Sequence, residues 1–458
     1  MKAQTIPTLA ECLAAADQTR ALVTGENCYG DLPGLLQKQY GRDTVYITAD
    51  GSTWKAAGEK AKKILEEAGI RVAGVHIFPA EPRLHAEYYN IKTLIQAISS
   101  IPDHERLVPV AAGAGTVNDL LKRAAFELKL PYLCLPTAAS VDGYTAFGAS
   151  ILMDGFKQTI PCTAPLSLAA DTAVLAEAPA YLSSSGFGDL ASKIIAGSDW
   201  ILADEAGRLG APDAHAINET AWNMTQPGLM DYLHRSVNAA KGDRDAVNAL
   251  FEALAITGFS MQHMKNSRPV SGSEHLFSHV WEMEDLSVNG VPVTHGHKVT
   301  IGTLAATAFT EIFFENPDGP PPPPKDYRRP LSGEREAEAS AAFAGSRARE
   351  GVVKTAAEKL MDEKTAEAIN GRFRGSWKEI REKILAQILP YGKLREMLLS
   401  AGCPVTPGET GLTRERVIAT ARRAQMIRSK YSILDLAWDM GSFDAVIKKM
   451  EASGVYLR

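Results

Sequence analysis

Cysteine is scarce and unpatterned in this chain of 458 residues: the five present, Cys12, Cys28, Cys134, Cys162 and Cys403, are odd in number, widely scattered and never spaced as CxxC. Neither a disulfide framework nor a zinc knuckle follows from them, and buried, idle thiols are expected. A basic surplus is missing too, since 49 Lys and Arg against 54 Asp and Glu leave a formal charge of −5. Neutralising phosphates along a nucleic acid needs the opposite balance, so no nucleic-acid partner is expected. No apolar run approaches the roughly 18 residues of a spanning helix. The opening MKAQTIPTLAECLAAADQ carries acids and lacks the continuous apolar stretch of a secretory signal. A cytoplasmic protein without a membrane span is the expectation.

What is present is an ordinary globular composition, 45% hydrophobic and 22% charged, sufficient for a packed core along most of the chain. At roughly 100–200 residues per domain, the length predicts two or three domains. In the first half, β-rich runs over 44–48, 71–78, 107–112 and 132–135 alternate with helical periodicity over 54–68, 88–101 and 117–128. That alternation predicts a parallel sheet covered by helices, and it points to the loops after Ile47, Val110 and Leu135 as the nucleotide-binding end. From about Ser183 the periodicity becomes helical throughout, as in 189–203, 244–264 and 299–314. Asn316-Pro-Asp-Gly-Pro-Pro-Pro-Pro-Pro-Lys then interrupts it with an extended, exposed connection. Residues 332–375, rich in Glu, Ala, Arg and Lys, read as a solvated helical insertion without chemistry. Helices resume over 377–389 and 414–439. The fold class expected is an α/β N-terminal dinucleotide-binding domain plus an all-α C-terminal domain: a 1–20 extension, an α/β domain over 21–180, and a helical domain over 181–458 with its insertion at 316–375.

Four clusters carry chemistry. Gly113-Ala-Gly-Thr-Val-Asn-Asp lies between a strand and a helix, where glycines let backbone approach a pyrophosphate and the helix amides and dipole favour negative charge. It lacks the third glycine of the Rossmann fingerprint, and a tight structural turn explains it equally well. Asp50 ends a strand, where a carboxylate can accept from ribose hydroxyls; it precedes the glycine loop rather than following it, and a turn former before Gly51 is the plainer reading. Pro136-Thr-Ala-Ala-Ser-Val-Asp-Gly-Tyr-Thr leaves the next strand with Thr137, Ser140 and Asp142. Finally, four of the ten histidines fall between 275 and 297. His275 and His279 are i and i+4, on one helix face, and His295-Gly-His follows. An open catalytic metal site needs about three protein ligands, and Asp189 in Gly186-Phe-Gly-Asp-Leu offers a carboxylate. Two imidazoles and a carboxylate suit zinc, nickel or iron alike.

Together, GAGTVND, PTAASVDGYT, SGFGDLASKIIAGSDW, SGSEHLFSH, HGHKVTIGTL, GLTRERV and IRSKYSILDLAWDMG resemble the bacterial sn-glycerol-1-phosphate dehydrogenases, within the superfamily of iron-containing alcohol dehydrogenases, glycerol dehydrogenases and dehydroquinate synthases. The resemblance runs from about Ala21 to Gly441. It implies a dehydroquinate synthase-like fold, an NAD(H) or NADP(H) site and a divalent metal in the cleft between two domains. By motif, Asp189, His275 and His295 would hold the metal; Asp50, Gly113, Gly115, Thr116, Val117, Asn118, Asp119, Thr137, Ala138, Ala139 and Ser140 would line the dinucleotide site; Asp142 and His279 would meet the substrate. Where many relatives carry a small hydroxyl residue after DGYT, this chain has Ala146.

The implied reaction is reversible reduction of dihydroxyacetone phosphate to glycerol 1-phosphate, with Asp189 and His279 the catalytic candidates. His279, or a water in its reach, would supply the proton near its ordinary pKa of about 6.5. Asp50 would repel a 2′-phosphate, so NAD(H) should be preferred over NADP(H). Lys157, Lys193 and Lys298 flank the motifs as partners for the substrate phosphate. The alternatives are a polyol dehydrogenase or a dehydroquinate synthase-like cyclase on the same scaffold, or an interaction protein docking through 316–375. A homo-oligomer is expected.

Overall fold

The computed structural model describes residues 6–81, 83–153 and 156–458, for 156–158 the backbone alone. Two compact units divide the chain: Met1–Leu190 with Asn223–Asn266, and Ala191–Trp222 with Ser267–Arg458.

The first unit contains strands β1 (Ala21–Gly25), β2 (Thr44–Asp50), β3 (Arg71–Phe78), β4 (Val108–Gly113), β5 (Leu133–Pro136), β6 (Ala149–Met153), β7 (Phe156–Ile160) and β8 (Ser167–Asp171). Six of them form one sheet in the order β1-β8-β5-β4-β2-β3, every neighbouring pair parallel. Parallel strands are covered on both faces, which is why β4 and β5 read as near-continuous apolar runs. Val45, Ile47, Val108, Val110, Leu133 and Leu135 are buried together at the centre. The expected strands are present. Two others, β1 and β8, and the antiparallel β6–β7 hairpin are short and carried no pattern that set them apart.

Residues 223–266 belong to the first unit, unlike the single boundary at 180/181 expected from periodicity. The Arg244–Met264 helix is anchored there by Gln262, whose side chain donates to the Thr145 carbonyl at 2.8 Å and the Thr19 hydroxyl at 3.1 Å and accepts the Gln18 amide at 2.9 Å. Ile256 and Phe259 of the same helix pack with Cys12 of the Leu9–Ala14 helix. Pairings between segments so far apart leave no trace in local periodicity. All five cysteines are buried and unbridged.

A buried lysine shapes the loop after β5. Lys122, on the Gly115–Glu127 helix, is fully buried, and its Nζ donates to the carbonyls of Gly143 (2.8 Å), Ala146 (3.0 Å) and Gly148 (3.1 Å). Three ammonium protons meet three carbonyls, so the buried charge is fully solvated by backbone. Behind the same loop, a Cβ on Gly186 would stand 1.9 Å from the Ala139 carbonyl oxygen. Only glycine allows that approach.

The second unit is helical, apart from a two-residue hairpin pairing Ser287–Val288 with Val291–Pro292. The insertion is helical as expected, with helices Ser332–Ala342, Arg349–Glu358 and Glu363–Gly375, but it is not merely solvated. Arg335 is 1% exposed and lies over the Trp438 ring at 4.6 Å, and Lys359 pairs with Asp435 at 2.6 Å. Charge-rich composition could not reveal which cations turn inward. The run expected over 414–439 is two helices, Arg414–Met426 and Ile433–Asp439. Between them Ser432 forms a capping box with Asp435, its amide and hydroxyl both 2.9 Å from the Asp435 carboxylate. Among the described residues no helix is long and apolar enough to cross a membrane.

Replacing Lys122 by Met leaves three buried carbonyls without their donor. We expect a loss of about 3 kcal/mol or more in unfolding free energy, measured by urea denaturation; an unchanged midpoint and slope would contradict the role assigned to this ammonium.

Candidate active site

In the first unit, β5, β4 and β2 are sheet neighbours, and their register aligns Gly113 with Pro136 and Thr48 with Ala111. Their carboxyl ends therefore bring Asp50, the 113–119 segment and the 137–142 segment to one sheet edge. The Gly115–Glu127 helix starts there without a side-chain cap, leaving its first amides open. A Cβ on Gly113 would come within 2.4 Å of the Val117 Cβ, so this glycine permits close packing of helix on strand.

Several residues of this edge also have structural duties. The Asp50 Oδ1 accepts from the Ser52 and Thr53 amides at 2.9 Å each, capping the turn that follows. Asn118 is buried and accepts from the Tyr132 hydroxyl at 3.0 Å. Asp119 accepts the Ser150 amide at 3.1 Å, tying the helix to the hairpin. Thr137 donates its amide to the Gly113 carbonyl at 3.3 Å; Thr137, Ala138, Ala139 and Ser140 are all buried. Gly115 and Thr116 occupy the first turn of the Gly115–Glu127 helix, ahead of buried Val117. The buried Thr145 hydroxyl donates to the Ala255 carbonyl at 2.7 Å. Asp189 lies on the Ala180–Gly207 helix, fully buried, and its carboxylate accepts the Asp142 amide at 3.1 Å.

The second unit gathers the histidines. His275 and His279 lie on the Ser273–Met283 helix, and His295 begins the His295–Phe313 helix. These helices meet closely because position 302 is glycine: a Cβ there would be 2.3 Å from the Glu274 carbonyl oxygen. The ring centroids stand 5.4 Å apart for His275 and His295, 6.1 Å for His275 and His279, and 6.4 Å for His279 and His295. Each ring has a carboxylate at Nδ1. Glu274 is 2.7 Å from His275, and Glu282 is 3.2 Å from His279 and 2.8 Å from His295.

A buried carboxylate, Asp199, starts the helix that carries two of these histidines. Its Oδ2 accepts the Ser273 amide at 2.5 Å and its Oδ1 the Ile433 amide at 2.7 Å. Arg268 donates to the carbonyls of Asp199 (2.9 Å) and Tyr431 (2.5 Å).

Burial dominates the electrostatics. It holds His275 well below the ordinary imidazole range, helped by the charges of Lys193 and His295. It brings His279 down to about 4 against the opposing pull of Glu282, and His297 also to about 4. The expectation that His279 titrates near neutrality is thereby corrected: its imidazole is uncharged at pH 7. Burial and the neighbouring Asp199 charge push the Glu274 carboxyl up to about 8, and burial lowers Lys430 to about 7.

Cations beyond those that sequence spacing offered also reach the cluster. Lys298 sits 3.5 Å from Glu282, Lys193 is fully buried within reach of the fields of Glu274 and His275, and the Lys157 side chain lies outside the described residues. Lys430 acts on His275 and Arg428 on His279. Both belong to the 427–432 segment that was expected to be helical; its IRSKYS wording was their only signal.

The iron-containing alcohol dehydrogenase pattern matches residues 23–179. Across the whole chain the fold is similar to a glycerol dehydrogenase crystal structure from Schizosaccharomyces pombe, with a TM-score of 0.57, 16% identity, and coverage of 95% of this chain and 91% of that one. At this identity the likeness shows the fold. A Bacillus velezensis protein named glycerol-1-phosphate dehydrogenase [NAD(P)+] is 36% identical over 282 residues, 62% of this chain and 69% of its own. One of the same name from Geobacillus stearothermophilus is 28% identical over 410 residues, 89% of each. The chain belongs to this glycerol-1-phosphate dehydrogenase family, and it is an oxidoreductase.

The two histidines lowered to about 4 give a sign for acid lability. Unfolded imidazoles titrate near 6.5, so the stabilisation is full above that pH and is lost as pH falls toward 4. Urea unfolding should show His297→Asn losing less stability than the parent between pH 7 and 4.5, by on the order of 1–2 kcal/mol. Parallel losses would contradict the half-buried, neutral state of His297.

Proposed function

We propose that the protein catalyses reversible, metal-dependent, NAD(P)H-linked reduction of dihydroxyacetone phosphate to glycerol 1-phosphate. The observation that carries this is the histidine cluster: three imidazoles with ring centroids a few ångströms apart, each with a carboxyl group at Nδ1, in a chain of the glycerol-1-phosphate dehydrogenase family. Neutral imidazole with its other nitrogen hydrogen-bonded is the form in which histidine binds a metal. That donor chemistry fits a divalent ion at His275 and His295, with the carboxylate of Asp189 as the third ligand we propose for it. Zinc, nickel and iron all suit such a mixed nitrogen and oxygen set.

When bound, the metal supplies Lewis-acid polarisation of the C2 oxygen and the nicotinamide carries the hydride. The chain's own residues do the rest. His279, uncharged at neutral pH with Nδ1 against Glu282, takes the C2 hydroxyl proton in the oxidative direction, directly or through a water, and returns it on reduction. Asp142, at the sheet edge, orients the substrate hydroxyls. Arg428 and Lys430 bring positive charge toward the substrate phosphate. The open amides after Gly113, with Thr116, Thr137 and Ser140 beside them, receive the dinucleotide, and Asp50 faces the adenosine ribose. A dehydroquinate synthase-like cyclase remains the second reading, since it would use the same scaffold and recycle its NAD.

An NADH-oxidation assay of the zinc-, nickel- or iron-loaded protein separates these readings. Net oxidation with dihydroxyacetone phosphate, and little with dihydroxyacetone, is expected; no net oxidation would defeat the proposal. Asp189→Ala should abolish turnover while leaving NADH binding within about twofold. Asp50→Asn keeps an oxygen for the cap and removes the charge, so it should narrow the preference for NADH over NADPH by roughly tenfold or more in kcat/KM, the size of a modest charge interaction. A parent enzyme that favours NADPH would refute the role of Asp50.

A further inference from the structure

We infer that Glu282 is the positioning residue that sets the tautomers of His279 and His295 together, so that one carboxylate aims the proton-transfer imidazole and a metal-binding imidazole at the same time. The inference rests on the roles proposed for those two histidines, although its central measurement does not. Glu282 lies on the Ser273–Met283 helix, one turn after His279. Its side chain is 4% exposed and spans two rings with its two oxygens: Oε2 is 3.2 Å from His279 Nδ1, and Oε1 is 2.8 Å from His295 Nδ1. The Lys298 ammonium stands 3.5 Å from Oε1 on the same side as His295, and the charge of Arg428 also acts on this carboxylate.

A carboxylate flanked by these cations has only acceptor oxygens, so both imidazoles must donate from Nδ1. A neutral imidazole carries one proton, and donation from Nδ1 leaves Nε2 as a lone pair on each ring. His279 and His295 are thereby both turned basic at Nε2, one for a proton and one for a metal. His275 has a separate carboxyl partner, Glu274, 2.7 Å from its Nδ1, so the link through Glu282 joins the other two rings.

The geometry predicts how an amide at 282 would fail. Glutamine has one acceptor oxygen and one donor nitrogen, and it can accept from only one of the two rings. Lys298, a donor, keeps the oxygen on the His295 side; the amide nitrogen then faces His279 Nδ1, which must accept, and the His279 proton moves to Nε2. Glu282→Gln should therefore uncouple the two roles. His295 keeps its tautomer, while His279 loses its basic Nε2.

The test is histidine-selective nitrogen-labelled NMR on the full-length, metal-free protein, with His279→Asn and His295→Asn used for assignment. In the parent, both rings should carry their proton on Nδ1; in Glu282→Gln, His279 should switch to Nε2–H while His295 does not. In the reconstituted enzyme, Glu282→Gln should then lower kcat by about 10–100-fold with KM for NADH unchanged, and weaken zinc retention against a competing chelator by less than tenfold; Glu282→Ala, serving neither ring, should weaken zinc retention by about 10–100-fold. A parent with His279 protonated on Nε2, or tautomers that Glu282→Gln leaves untouched, overturns the inference. A parent that fails to retain zinc, nickel or iron overturns the metal reading instead, and the tautomer result stands apart from it. Should Glu282→Ala not fold by circular dichroism, the isosteric Glu282→Gln carries the test alone.

Discussion

The buried carboxylate of Asp199 is the constraint on which the histidine cluster depends. Its two oxygens accept the first amides of two different helices, at Ser273 and at Ile433, and helix N-termini favour such an anion through both open donors and dipole. The first of those helices carries His275, His279 and Glu282; the second is preceded by the segment that carries Arg428 and Lys430. Arg268, fully buried, ties the backbone of Asp199 to Tyr431 from the other side. Burial raises the pKa of Asp199, while the Ser273 and Ile433 amides oppose that shift. A charged group so placed is costly unless hydrogen-bonded, and here the amides that compensate it are those that set where the functional helices begin.

The same economy of buried polarity recurs elsewhere. Lys122 donates to three carbonyls of the loop after β5, and Gln262 closes the Arg244–Met264 helix onto the N-terminal segment and that same loop. Backbone comes near at glycines, as at Gly186 against Ala139 and Gly302 against Glu274. Side chains are absent where backbone must come near, and charged groups are present where backbone carbonyls or amides must be satisfied. The consequence is positional precision for groups that would otherwise sit on flexible loops.

Much of this organisation was legible beforehand. The alternation of β-rich and helical runs identified four of the six parallel strands, because strands buried on both faces are continuous apolar segments. The 244–264 helix and the i, i+4 placement of His275 and His279 were likewise written in local spacing. Harder to see were β1 and β8, too short for a pattern, the return of 223–266 to the first unit, and the break at 427–432. Each follows from contacts between residues far apart in the chain, such as Ile433 with Asp199 or Gln262 with Thr145. The insertion misled in a different way. Arg335 and Lys359 look like surface charges in a run of Glu, Ala, Arg and Lys, yet they are buried against Trp438 and Asp435.

By itself, the sequence determined the residue types available for chemistry and the elements on which they ride, since apolar period and glycine placement are local properties of the chain. It also carried the ordered motifs by which the family is known. What only the tertiary structure decided was the state of those residues: that His279 is uncharged rather than poised near neutrality, that Asp50 and Asp119 also serve as backbone acceptors, and that Glu282, unremarked among the motifs, faces two imidazoles. Protonation and hydrogen-bond direction depend on burial and on which groups converge in space, and neither is encoded in the spacing of residues along the chain.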